Sequence, residues 1–376
     1  MNYCCRALGV LALLAIVCAL CLTATVSAQE PVYDPTAKPM FVVRTPGPAV
    51  ERNAPVTPLT QWTYKWTYKG QNLTATIVGT DPSKTNAPTT IKVGIIPIKM
   101  VYGSSNGNMT FDPNTLYSGG KTATQMIAGS PIFVSSVDYV QGGVDIGKTQ
   151  YEDAYERANF WGSVSTNTNY HLLFAKPIIA PEQTINVTPA QGNVISNPWS
   201  GIPTGIMDIN AFDAQLQTIM RKFPQITPNV LPIFLTYNVY LTSNAECCIG
   251  GYHSANGLQP NGQTYSYTTT ISQGVAPVFS QDISALSHEL GEWVLDPFVD
   301  NIAPNLCALR GNSLLENGDP LEGGPTFGDF PYTVNGFTFH PQDLVTMTYF
   351  GAPPTTSVNS FFTFQGQHLT VCQNGG

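Results

Sequence analysis

Charge is what this chain has least of. Asp, Glu, Lys and Arg make up 11% of its 376 residues, less than half of the ~25% usual for soluble domains. The charge present leans acidic, 24 Asp+Glu against 16 Lys+Arg, which argues against a nucleic-acid partner or an anionic membrane surface. After the amino-terminal segment no apolar run approaches the ~20 residues that a membrane span requires. Histidine is scarcer still, with 5 in the whole chain. What is plentiful is Gly (33), Pro (30) and aromatic residues (11%), the profile of a loop-rich, β-containing exported protein.

Residues 1–28 carry Arg6, an apolar run from Ala7 to Leu22, and Val26-Ser27-Ala28 in the small-x-small form of a cleavage site. They read as a secretory signal peptide and predict a secreted protein, extracellular or periplasmic. Their removal leaves 348 residues and moves the formal charge from −8 to −9. Of the cysteines, Cys247, Cys248, Cys307 and Cys372 then remain. An even number in an oxidising compartment predicts two disulfides. A bond between the neighbours Cys247 and Cys248 closes a small strained ring, so each is expected to reach separately to Cys307 or Cys372. A four-cysteine zinc site is the rival reading, but the spacing lacks a C-x-x-C pair.

Residues 29–60 are rich in proline without apolar periodicity, which predicts an extended arm or linker whose order would require docking on the body. Residues 61–376 read as one α+β domain, or as a β-rich stretch 61–205 followed by a site-bearing half 206–376. TATIVG, TIKVGIIPIKMVYG, VLPIFLTYNVYL and DLVTMTYF predict strands, the second apolar enough for burial on both faces. Helices are predicted for 150–161, with an Asp153–Arg157 pair and its acids on a solvated face, for 209–223, and for 282–296, capped by Asp282 and stopped by Pro297.

The last helix carries SHELGEWVLDP. Ile283, Leu286, Leu290, Trp293 and Val294 fall on one stripe, with His288 and Glu292 together on the other side, one turn apart. A single cation can reach both. Glu289 is rotated by about 100° from His288, the relation that a His-Glu-x-x-His zinc helix uses to hold water near both metal and base. Asp296, two turns after His288, is a nearby alternative ligand or simply the helix end. His253 and His340 are outside candidates for a further ligand, although a lone histidine in an aromatic context is more often packed than ligating. Gly103 to Gly107 fits G-x-S-x-G, but no helix follows and the stretch reads as a turn.

His288-Glu289-Leu-Gly-Glu292 resembles the zincin metallopeptidase signature with Glu in place of the second His. NYHLLF, CCIGGYHSA, SHELGEWVLDP and LLENGDPL together resemble uncharacterised secreted proteins of soil bacteria. Gly-Tyr-His followed by Ser-His-Glu is more faintly similar to phosphate-induced secreted proteins of plants. The zincin resemblance implies an active-site helix beside a sheet, with His288 and Glu292 as ligands and Glu289 as general base. It also implies a carboxylate returning some 25 residues later, where Glu316 is the first choice of third ligand and Asp319 would orient the His288 ring. Zinc is the expected ion, but a His-Glu-Glu set is harder than one with two histidines, which admits manganese or calcium. The second carboxylate also makes the ion a weaker Lewis acid. The resulting expectation is a metal-dependent peptidase, or a degenerate relative, acting on a protein or peptide substrate. The competing class is a non-catalytic secreted binding or adhesion protein with a structural or vestigial metal site.

Overall fold

The computed structural model describes residues 44–49, 56–275, 281–304, 313–321 and 329–364. The fold is α+β and rich in strand, as the sequence predicts. An antiparallel hairpin comes first, Gln61–Tyr68 against Gln71–Val78. Its Lys69-Gly70 turn has φ of 46° and 81° at the two central positions, the primed geometry that matches strand twist and that glycine adopts without strain.

The central sheet is built on the long strand Thr89–Tyr102, which pairs in parallel with Val230–Tyr237; that strand pairs in parallel with Gln263–Thr270. Gly251–Asn256 closes the edge in the antiparallel sense. The long strand serves two cores by alternation: Ile91, Val93 and Ile95 join one cluster, and Ile96, Ile98 and Met100 the other. On the first face lies the helix Ser284–Leu295, through Leu286, Leu290 and Trp293; on the second lies Ile209–Met220, through Phe212 and Leu216. Burial on both faces is why the strand reads as a nearly continuous apolar run.

Several local expectations need correction. VLPIFLTYNVYL is two strands, Val230–Tyr237 and Val239–Ser243, broken at Asn238 with φ 53°. DLVTMTYF contains no strand; it ends in the 3-10 turn Met347–Phe350, started by Asn159 Oδ1 accepting from Met347 N at 2.7 Å. Asp282 does not cap the following helix, whose N-cap is Ile283. Its carboxylate accepts from His340 N at 2.8 Å and meets His340 Nδ1 at 2.7 Å. The helix Tyr151–Asn159 has no solvated acidic face either. Glu152, Asp153 and Glu156 are all buried, with Asp153 accepting from Leu172 N at 2.6 Å and facing His171 Nδ1 at 2.7 Å. Arg157 donates to the Ile146 and Tyr170 carbonyls. Charge pattern suggested a surface helix; the central position of this one overrides it.

Part of the arm docks. Gly47 N donates to Ala255 O at 2.8 Å, Gly257 N to Gly47 O at 2.9 Å, and Arg44 pairs with Asp213 at 2.8 Å. These bonds cover the open side of the edge strand, which would otherwise present unpaired backbone groups. The Cys247 and Cys248 sulfurs lie against each other, while Cys307 and Cys372, their expected partners, are outside the described residues.

Glu156 supplies a test of this buried acidity. Burial raises its carboxyl to about 8, against the opposing hydrogen bond from Tyr170. The folded state therefore keeps a proton that the unfolded chain releases in the ordinary carboxylate range, and stability falls as pH rises through that interval. Glu156→Gln should raise the unfolding free energy near pH 8 by about 1–3 kcal/mol and change it little near pH 5. Urea denaturation at both pH values checks this, and an equal effect at both would contradict it.

Candidate metal centre

The helix Ser284–Leu295 packs against the strands Gly251–Asn256 and Gln263–Thr270. It is buried on every side, so its polar residues must find partners inside the protein. Close approach is possible because Gly251 lacks a side chain: a Cβ there would lie 2.7 Å from Glu289 Cγ. Pro297 disfavours helical backbone at Asp296, which sits at φ −143° and ψ 63°, and the helix ends at Leu295. Asp296 Oδ1 accepts from the amides of Asp300 at 2.9 Å and Asn301 at 3.0 Å. The chain then doubles back, Ala303 N donating to Ser313 O and Leu315 N to Asn301 O. That return brings Glu316 to Asp319 over the helix.

His288, Glu292 and Asp319 present ligand atoms within 4.8 Å of one another. His288 Nε2 lies 3.2 Å from Glu292 Oε1 and 3.7 Å from Asp319 Oδ1. Glu292 Oε1 also accepts from Gly318 N at 3.2 Å and Asp319 N at 3.3 Å. On the far side of the imidazole, His288 Nδ1 donates to Gln342 Oε1. Gln342 is held by its backbone, whose amide donates to Ser287 Oγ at 2.8 Å and whose carbonyl accepts from Tyr151 Oη at 2.8 Å. A metal-binding imidazole is typically fixed in this way, one nitrogen tied to an acceptor and the other turned to the ligand cluster. Asp319, expected as the ring-orienting residue, thus stands among the candidate ligand atoms, and Gln342 orients the ring.

Glu316, the first choice of third ligand, faces the other histidine. His253 lies within this cluster, with Nδ1 3.2 Å from Glu289 Oε2 and Nε2 3.9 Å from Glu316 Oε2. His253 Nε2 is 3.0 Å from the carbonyl oxygen of Asp296. His340 pairs with Asp282 instead.

Electrostatically the cluster holds too many acids for its depth. Burial, reinforced by Asp319 and Glu289, holds the Glu292 carboxyl well above the usual range; Glu316 is raised by burial and by Glu292. Burial raises Asp296 to about 7, against the opposing amides of Asn301 and Asp300. Burial lowers His253, but Glu316 and Glu289 outweigh it and raise the imidazole to about 9. Carboxylates and imidazole lone pairs gathered in a buried volume need a cation between them, either protons or a metal ion. The donor set of imidazole and carboxylate oxygens fits zinc or manganese.

No protein-family profile, curated protein or solved structure matches the chain. The reading of the centre rests on its geometry and on the His-Glu-x-x-Glu motif.

Sequence reasoning gave no place here to Gln342 or Glu152. Glu152 reaches the site helix at Gly291, where a Cβ would lie 3.2 Å from Glu152 Oε2. Among the described residues neither of its oxygens accepts a hydrogen bond, and burial holds its carboxyl well above the usual range. No motif marks either residue.

Gly318 is the position most sensitive to added bulk. A Cβ there would fall 2.3 Å from His288 Nδ1 and 2.6 Å from Cε1, and a buried ring has nowhere to retreat. Gly318→Ala should weaken zinc binding about 10–100-fold by turning the ring and destabilise the fold by about 1–3 kcal/mol. Competition with a chromophoric chelator measures the first effect and urea denaturation the second. Wild-type affinity would show that the ring orientation is not what the centre depends on.

Proposed function

We propose that this is an exported metal-dependent peptidase, zinc being the first candidate ion, with His288, Glu292 and Asp319 as ligands and Glu289 as general base. The observation that supports it most is the convergence of those three ligand atoms beside a carboxylate one residue along the same helix. When bound, the ion would act as a Lewis acid toward a peptide carbonyl and toward water. Glu289 would take the proton from the attacking water and deliver it to the leaving amine. His253, 3.2 Å from Glu289 Oε2, would hold that carboxylate in position. Gln342 would keep His288 Nε2 turned toward its partners.

A second reading is favoured by burial. His288, Glu289, Glu292 and Glu316 are at most 4% exposed, and Asp319 alone has a side chain 22% exposed. A cation so enclosed suits a structural role in a secreted binding or adhesion protein. Metal content by mass spectrometry and cleavage of a peptide library, each run on wild type and His288→Ala, test both readings. About one or more equivalents of zinc with cleavage, the cleavage and one equivalent of the metal being lost in His288→Ala, supports the peptidase. Metal without cleavage, at one equivalent as well as at saturation, supports the structural reading, and no metal after soaking in zinc and manganese overturns both.

A further inference from the structure

Glu292 turns its two carboxylate oxygens to different histidines. Oε1 faces His288 Nε2 at 3.2 Å, whereas Oε2 faces His253 Nδ1 at 3.9 Å. Around the second oxygen stands another set, in which His253, Glu289 and Glu292 offer ligand atoms within 4.8 Å of one another, all three residues buried. Two overlapping triads therefore share one carboxylate.

Hydrogen bonding repeats the arrangement seen at His288. His253 Nε2 lies 3.0 Å from the backbone carbonyl of Asp296, which can only accept, so this nitrogen carries a hydrogen. Nδ1 is left facing Glu289 Oε2 at 3.2 Å and Glu292 Oε2. One nitrogen tied to a carbonyl and the other aimed at carboxylates is the posture of a metal ligand. Glu316 adds an independent observation. Its side chain is 4% exposed, and its Oε2 lies 3.9 Å from His253 Nε2. Among the described residues neither of its oxygens accepts a hydrogen bond. A buried carboxylate without a donor is costly unless a cation meets it. Charge points the same way: Glu289, Glu292, Glu316 and Asp319, when ionised, match two divalent cations and exceed one.

We propose that the protein binds a second divalent cation on His253, Glu289 and Glu292, with the buried charge of Glu316 beside it and Glu292 bridging to the cation at His288 and Asp319. Ions in two-metal sites lie ~3.5–4 Å apart, a span that one carboxylate bridges. One imidazole with two carboxylates, and a third carboxylate nearby, suits zinc or manganese. The catalytic consequence rests on the peptidase reading. A cation at the second position ligates Glu289 and removes it as a base, so the first equivalent should support turnover and the second suppress it.

Binding stoichiometry tests the site without relying on turnover. Zinc is titrated calorimetrically into the chelator-stripped full mature protein and into its His253→Gln, Glu316→Gln and His288→Ala variants, with folding checked by circular dichroism. Two equivalents in wild type, one each in His253→Gln and His288→Ala, and a second equivalent at least about tenfold weaker in Glu316→Gln are expected. One equivalent in wild type that survives His253→Gln but not His288→Ala overturns the second site and leaves the first standing. One equivalent lost in either histidine variant means a single shared cation and also overturns the proposal. No zinc in wild type overturns both centres. Should His253→Gln fail to fold, Glu316→Gln, which keeps the side-chain volume, decides: an unchanged second equivalent overturns the site.

Discussion

Glu289→Gln should lower peptide turnover about 10²–10⁴-fold while leaving the cation at His288, Glu292 and Asp319 in place. The amide keeps the shape of the carboxylate, and its oxygen can still meet His253 Nδ1, which lies 3.2 Å from Glu289 Oε2. What disappears is the capacity to accept a proton from water, a loss of about 3–5 kcal/mol in transition-state stabilisation. The fall should appear in kcat rather than KM, since the group acts on the attacking water and not on substrate binding. Zinc content of the same preparation provides the control, because a variant that has also lost its first metal says nothing about the base. If the cation is structural, wild type has no hydrolysis to lose and the substitution leaves stability nearly unchanged. Wild-type kcat in a metal-loaded variant would remove Glu289 from the mechanism.

What the sequence made legible was local. The site helix is visible in Ser287 to Pro297 because spacing along a helix fixes which residues share a face. The long strand is visible because burial on both faces leaves an unbroken apolar run. His253 lies on a strand 35 residues before His288, and no periodicity links a strand residue to a helix that packs over it. The available signal was Gly251, two residues earlier, a gap in the strand that lets Glu289 approach. The Tyr151–Asn159 helix misled for the opposite reason. Acid and base at i,i+4 are ordinary surface grammar, and only the tertiary position of this helix, with Glu156 at 1% exposure, reverses the meaning. Glu316 and Asp319 were both named as candidates, yet which of them lies nearer His288 depended on how the chain returns over the helix. The amides of Gly318 and Asp319 fix that path by donating to Glu292.

Removing the metal should destabilise the protein, and increasingly so as pH rises. In the metal-free fold, Glu292 and Glu316 keep protons well above the usual carboxylate range, and Asp296 up to about 7. The unfolded chain releases those protons at ~4. The folded state then binds more protons than the unfolded one, so its stability declines as pH rises through that interval. His253 acts in the same direction. Its folded value of about 9 exceeds the unfolded 6.5, so its contribution is complete below 6.5 and is lost as pH rises through 9. A bound divalent cation replaces these protons, and metal affinity itself strengthens as the ligands deprotonate. With free zinc at about 100–1,000 times its Kd, binding adds about 3–4 kcal/mol to the unfolding free energy. Urea denaturation near pH 5.5, 7.5 and 9, each with zinc and with chelator, should give curves that nearly meet at the lowest pH and separate as it rises. A separation of the same size at all three would mean that the cation binds away from these acids, and no separation at all would mean that protons, not a metal, hold this cluster together.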